Sequence, residues 1–229
     1  MEQNRITMLG TGNALVTRCY ADVHDLFVTH AHTDHLLGCV WMMRMALQFR
    51  HPLRVWSHEK VLTLLTDICH AILPPKEAQG IGTLVEMHRL EDGDCFDVGD
   101  MRLQCFDIHS TKERQFGFTA LMPGGQRICC LGDEPYSPLC KQYAEGADWL
   151  MSEAFCLYED RDRFQPYEKH HSTVLDAARL AEDLGVKNLV LYHTEDRTLE
   201  TRKKRYTAEA KTAFSGNVWV PDDLERLTL

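Results

Sequence analysis

Thr29-His30-Ala31-His32-Thr33-Asp34-His35 packs three imidazoles and a carboxylate directly behind the apolar run Leu26-Phe27-Val28. Three neutral imidazoles side by side are costly to bury and repel once protonated, whereas a borderline-soft divalent metal turns the same groups into ligands. A metal site is therefore the leading reading, ahead of a polar turn with incidental histidines. With 26–28 read as a buried strand, His30 and His32, two apart, leave its end on one face. Asp34 and His35 follow in the turn that opens a helix predicted over 36–49.

Working outward, the other metal-capable residues fall in matching places. His109 ends a strand predicted over 101–108, Asp133 follows one over 127–131 in Leu131-Gly132-Asp133, and His193 ends one over 186–192. Each sits at the C-terminal end of an apolar strand, as His30 and His32 do. One such residue alone reads as a satisfied core or surface group. The recurrence points instead to side chains from separate strands converging at one rim of a sheet.

The remaining pattern is a mixed sheet with helices. A strand over 5–9 ends in the Gly10-Thr11-Gly12 turn, which lacks the third glycine of a dinucleotide fingerprint. The next strand covers 23–29. In the helix over 36–49, Trp41, Met42, Met43 and Met45 form a stripe read as core packing. A strand over 53–57 precedes a helix over 59–73, stopped by Pro74-Pro75. Strand-like runs over 83–90, 95–98, 101–108, 116–122 and 127–131 are separated by short turns, so antiparallel pairing is expected among them. The last third changes rhythm, with a helix over 141–145, a strand over 149–152, a helix over 172–184 closed by Gly185, and the strand over 186–192.

With 229 residues, 44% of them hydrophobic, and no low-complexity linker, the chain is expected to form one domain over 1–229. No run is apolar enough to span a membrane, and no signal pattern opens the chain, so a cytoplasmic location is expected. The nine cysteines include no C-x-x-C pair, and Cys129-Cys130 are adjacent within a strand, which suits buried reduced thiols. The net charge of −9 disfavours long polyanions as partners. The basic run Arg202-Lys203-Lys204-Arg205 is read as a solvated helix face.

These residues together resemble the metallo-β-lactamase fold superfamily of dinuclear metallohydrolases. The resemblance runs through the Gly10-Thr11-Gly12 turn, the H-x-H-x-D-H motif at 30–35, then His109, Gly132-Asp133 and His193 in order. It implies an αββα sandwich, an α/β (α+β) fold, and two divalent metal ions, zinc first with manganese or iron as alternatives. One ion would be held by His30, His32 and His109, the other by Asp34, His35 and His193, with Asp133 bridging.

Within that superfamily the chain is more similar to the ribonuclease Z group of phosphodiesterases. Position 133 is Asp where lactamases usually have Cys, Ser152-Glu153-Ala154-Phe155 looks like the group's His-Glu-Ala-Thr segment, and His170-His171-Ser172-Thr173 looks like its Gly-His-Ser-Thr segment. The resemblance implies a Glu153–His171 pair beside the metals. A carboxylate bonded to an imidazole fixes its tautomer and makes it a proton donor, and Ser172 is expected to cap the following helix, whose N-terminus attracts phosphate oxygens. The implied mechanism uses a hydroxide between two metals to attack phosphorus, with His171 protonating the leaving oxygen. Asp34 joins His171 and Glu153 as a catalytic candidate.

Two departures refine this. Ribonuclease Z enzymes carry a tRNA-gripping arm between the strand histidine and the bridging aspartate, but here only 23 residues separate His109 from Asp133. A small phosphodiester is therefore the expected substrate and tRNA is disfavoured as a partner. A homodimer is left open. Relatives also place a strand hairpin between the glycine turn and the histidine motif, where this chain has only residues 13–29. Loss of that hairpin would expose a sheet edge, so a segment near Cys19 to Asp25 is expected to have been omitted. Two other classes stay open: a lactonase, arylsulfatase or β-lactamase-type hydrolase on the same scaffold, and a non-enzymatic metal-binding module. The charged stretches Glu159-Asp160-Arg161-Asp162-Arg163 and Lys112-Glu113-Arg114 are expected to line the rim and set specificity.

Overall fold

In the computed structural model, which describes residues 5–7 and 23–229, the apolar run before the histidines is strand β2 (Asp25–Phe27). It pairs in parallel with β3 (Leu53–Ser57), and β3 pairs in parallel with β4 (Val85–Arg89). Helix α1 (Thr33–Phe49) makes the first crossover, and α2 (Glu59–Ile72) with α3 (Pro75–Ala78) makes the second. The expected antiparallel pairing of the 83–90 run is thereby corrected. A strand, a crossover helix and a strand return the chain in the same direction, which a tight turn cannot do.

The second sheet begins as that meander. Strands β5 (Cys95–Val98), β6 (Met101–Asp107), β7 (Phe116–Leu121) and β8 (Arg127–Cys130) pair antiparallel in sequence order. Helix α4 (Lys141–Ala144) then leads to β9 (Trp149–Glu153), which adds in parallel to β8. Beyond α5 (Arg161–Phe164) and α6 (Val174–Asp183), β10 (Asn188–Tyr192) adds in parallel to β9, and beyond α7 (Leu199–Ala210), β11 (Asn217–Trp219) adds in parallel to β10. These pairings point β6, β8, β9 and β10 the same way, so their C-terminal ends share one rim. Strand β12 (Arg226–Thr228) pairs antiparallel with β1 (Arg5–Thr7). The three-residue strands β11 and β12 were not anticipated from the sequence.

Alternation of side chains along the strands separates three apolar layers. Leu53 and Val55 of β3 pack with Val40, Met43, Val61 and Leu65 of α1 and α2, outside the first sheet. Leu150 of β9, and Leu189 and Leu191 of β10, pack with Val174, Ala178 and Tyr206 of α6 and α7, outside the second. Between the sheets, Phe27 and Trp56 from the first meet Phe96, Leu103, Trp149 and Val190 from the second. The result is the expected four-layer αββα sandwich.

Local expectations fare unevenly. Of the expected core stripe, Met43 and Met45 are buried, while Trp41 and Met42 are only half-buried. The eight described cysteines are free, and burial pushes the Cys105 and Cys156 thiols up to about 12. Helix α6 is capped by Thr173 rather than Ser172. Its hydroxyl accepts from the Asp176 N–H at 3.3 Å while the Asp176 carboxylate accepts from the Thr173 N–H at 3.0 Å, a reciprocal pair that satisfies two donors at once. Arg202 is buried, not solvated: its guanidinium donates to Thr194 Oγ1 at 2.7 Å. The Gly10-Thr11-Gly12 turn and most of the stretch holding the questioned hairpin fall on residues 8–22, outside the described ones. No helix among the described residues is long and apolar enough to cross a membrane.

Candidate metal centre

The loop after β2 is held from both sheets. The Val28 N–H donates to Trp56 O at 3.0 Å, the Ser57 hydroxyl donates to Val28 O at 2.7 Å, and the Phe116 N–H from β7 donates to Thr29 O at 3.0 Å. His30 is thereby carried fully buried into the gap between the sheets. His32 is the N-cap of α1, its carbonyl accepting from the Leu36 N–H at 2.9 Å. Asp34 and His35 therefore project from the first turn of α1, where a helix N-terminus favours a carboxylate.

Opposite them, Gly132 follows β8 with φ of 79°, a left-handed conformation natural to glycine. It delivers Asp133, whose residue is buried. The Tyr192 hydroxyl at the end of β10 donates to Gly132 O and fixes this turn. His193 follows directly with φ of 53°.

These side chains meet. His30 Nε2 and His32 Nδ1 lie 2.8 Å apart, and Asp133 Oδ2 lies 3.6 Å from His30 Nε2, 3.1 Å from His35 Nε2 and 3.4 Å from His193 Nε2. Asp34 Oδ2 is 3.4 Å from both His35 Nε2 and His193 Nε2. Besides Glu153, His171 and His193, whose donor atoms also converge, two groupings have donor atoms close enough to hold a metal ion: His30, His32 and Asp133 in one, and Asp34, His35, Asp133 and His193 in the other. Asp133 belongs to both. His109 joins neither among the described residues; it is exposed with φ of 60°, and its N–H donates to Asp107 Oδ1 at 2.7 Å.

The electrostatics suit cations. Burial, working against the nearby Asp133 charge, brings His30 down to about 4, so the imidazole is neutral at neutral pH, the form that can bind a metal. Burial raises the Asp133 carboxyl, but the His35 hydrogen bond with the His30 and His193 charges outweighs it and holds the acid well below the usual carboxylate range. Asp133 Oδ1 and His193 Nδ1 are buried without a hydrogen-bond partner among the described residues. An unpaired buried carboxylate oxygen is expensive, and mixed imidazole and carboxylate ligation fits zinc, iron or manganese.

Beside the second grouping, Glu153 ends β9 and His171 precedes α6. His171 Nδ1 and Glu153 Oε2 are 3.6 Å apart, and Glu153 Oε1 accepts from the Ser172 N–H at 2.5 Å. The His171 ring stacks on Phe155 with centroids 5.2 Å apart and lies 5.0 Å from the His193 ring. Residues that sequence reasoning passed over supply the support: Thr29 Oγ1 lies 2.9 Å from His30 Nδ1, and the buried Glu134 carboxylate accepts from Ser110 Oγ at 2.7 Å. The charged run at 159–163 is tied down in part, since Arg205 of α7 pairs with Glu159 at 2.7 Å and Asp160 at 3.2 Å.

Comparison with known proteins agrees with this fold. The family described as the beta-lactamase superfamily domain matches residues 13–194. A ribonuclease Z of Bacillus cereus is 35% identical over 258 residues, covering 89% of this chain and 80% of that protein. That alignment is longer than the chain itself, so the relative has segments with no counterpart here. Among solved structures, the metallo-beta-lactamase fold protein YhfI from Bacillus subtilis has a TM-score of 0.70 at 20% identity, covering 92% of this chain and 80% of that one. The short form of human tRNase Z has a TM-score of 0.65, also at 20% identity, covering 91% of this chain and 80% of that one.

Proposed function

The chain belongs to the metallo-β-lactamase superfamily, in its ribonuclease Z-like branch, and on that premise we propose that it is a metal-dependent phosphodiesterase acting on a small phosphodiester. The observation that carries this reading is the Glu153–His171 pair lying in ring contact with His193 of a metal-capable cluster. A carboxylate and imidazole poised beside cations suit cleavage of an ester whose leaving oxygen must be protonated.

His30, His32 and Asp133 would hold one divalent cation, zinc first, and Asp34, His35, His193 and Asp133 a second, with His109 as a further ligand of the first after rotation of its exposed side chain. Bound cations would lower the pKa of a water and neutralise charge developing on the phosphoryl oxygens. His171 turns Nδ1 toward Glu153, which leaves Nε2 to face substrate. As the P–O ester bond breaks, the proton on Nε2 passes to the leaving oxygen, and the water consumed by hydrolysis restores it. Phe155 holds the ring in plane for this transfer.

The leaving group would sit in a cavity of about 250 Å³ that opens at His171, lined also by Pro135, Tyr136, Ser152, Tyr167 and Leu180. Its walls combine the Tyr136 and Tyr167 rings, Pro135, Ala177 and Leu180 with the polar Ser152, Ser172 and Asp176, which suits a leaving alcohol with a nucleoside-like body, aromatic on one side and hydroxyl-bearing on the other. Between His109 and Asp133 the chain forms only a loop and the β7–β8 hairpin, which supports a small diester over a tRNA.

The test is elemental analysis of the purified protein with turnover of bis-(p-nitrophenyl) phosphate after metal loading. His171→Ala is expected to lower turnover about 10²- to 10⁴-fold on diesters with poor leaving groups and far less on p-nitrophenyl esters. Metal-loaded protein that cleaves lactones or β-lactams but no phosphodiester would overturn the reading.

A further inference from the structure

The charged run Lys112-Glu113-Arg114 does not simply form a solvent rim. The side chain of Glu113 is turned inward and only 12% exposed, with Oε1 3.5 Å from His32 Nε2. The same oxygen accepts from the Ala31 N–H at 3.2 Å, so it grips the histidine loop between His30 and His32. The other oxygen is engaged by the Lys60 ammonium from the first turn of α2. Behind it, Ser110 Oγ accepts from the Glu113 N–H at 3.2 Å while donating to Glu134, next in sequence to Asp133. Loop 110–115 is therefore a brace between the His30–His32 turn and the Asp133 turn.

The consequence falls on His32, which turns Nδ1 toward His30 Nε2 and Nε2 toward Glu113. A carboxylate facing one ring nitrogen keeps the proton there, leaving the other nitrogen as lone-pair donor. We propose that Glu113 is a positioning residue that fixes His32 in its Nε2–H tautomer, so that Nδ1 is presented to the cation shared with His30. This rests on the metallohydrolase reading of the site. Thr29 serves His30 in the corresponding place, with Oγ1 2.9 Å from Nδ1 while Nε2 faces His32 Nδ1 and Asp133.

The experiment compares wild type with Glu113→Ala and Glu113→Gln in the full chain. Zinc affinity is measured by competition with a chromophoric chelator, and the His32 tautomer by imidazole ¹⁵N shifts of the metal-stripped protein above pH 7. Glu113→Ala should weaken one of two zinc equivalents by about 10- to 100-fold and leave His32 a mixture of tautomers. Glu113→Gln keeps an oxygen acceptor and should recover most of both. If Glu113→Ala lowers only the melting temperature, with both affinities and the tautomer unchanged, the carboxylate is a loop staple and the proposal falls. Should the alanine variant fail to fold, Glu113→Asp, whose carboxylate is one methylene shorter, takes its place: a weakened zinc equivalent with a mixed His32 tautomer supports the proposal, and unchanged affinities with an unchanged tautomer overturn it. Wild-type protein that takes up no zinc would overturn the metallohydrolase reading itself, a result separable from every variant outcome.

Discussion

The two halves of the metal-capable cluster are built to different standards. The His30 half is braced, with His30 buried and the His32 side chain 39% exposed. His30 has no exposed surface, and its loop is tied to β3, to β7 and to Glu113. In the other half, Asp34 stands with 57% of its side chain exposed, and His35 and His193 reach the surface in part. One half is anchored on a fully buried, braced imidazole, while the other presents an exposed carboxylate with room for water and substrate. The Glu153–His171 pair stands at the open half, which places the proposed proton donor where a substrate can arrive.

The largest way to break this contrast is Asp133→Asn, because Asp133 alone belongs to both halves. Loss of its charge should release both cations together and lower kcat/KM by a factor on the order of 10³ or more, as expected when several kcal/mol of charge stabilisation vanish. Zinc content per chain checks it. Loss of only one equivalent would show that the halves are independent.

Acid sharpens the contrast next. The folded-state value of His30, about 4, lies below its ordinary 6.5, so the unfolded chain binds this proton first and the folded chain resists it. The metal-stripped protein should keep the full contribution above pH 6.5 and lose up to about 3 kcal/mol as pH falls toward 4. Urea unfolding of wild type and His30→Gln across that range measures it, and the variant should show a flatter slope.

A smaller effect tests the turn that delivers Asp133. Tyr192→Phe removes the hydroxyl that donates to Gly132 O and should cost about 1 kcal/mol of stability. The weakening of zinc binding should be shared by both halves, since the turn serves both.

Much of this site was legible because metal chemistry leaves compact signatures. The 30–35 motif and the recurrence of ligand types at strand ends pointed to His30, His32, Asp34, His35, Asp133 and His193, which the fold gathers at one rim. His109, read by the same rule, has no donor atom in these groupings among the described residues and stands exposed just past β6. The pairing of β4 was misread although the alternation 53–57, 59–72, 85–89 carried a strand–helix–strand period; the short-turn rule had been extended one strand too far. Thr173 was readable too, since Asp176 stands three residues beyond it. Glu113 and Arg202 were not, because whether a charged side chain turns inward depends on partners far away in sequence.

His193 sits just past its strand in a backbone geometry that residues with a Cβ adopt only under constraint, at a cost of order 1 kcal/mol or more. Glycine would be at ease there, so His193→Gly should leave the metal-free fold as stable as before or firmer while emptying the open half of an imidazole. The open half thus carries backbone tension at His193, and a variant selected for heat resistance alone would be expected to lose its chemistry at this joint first.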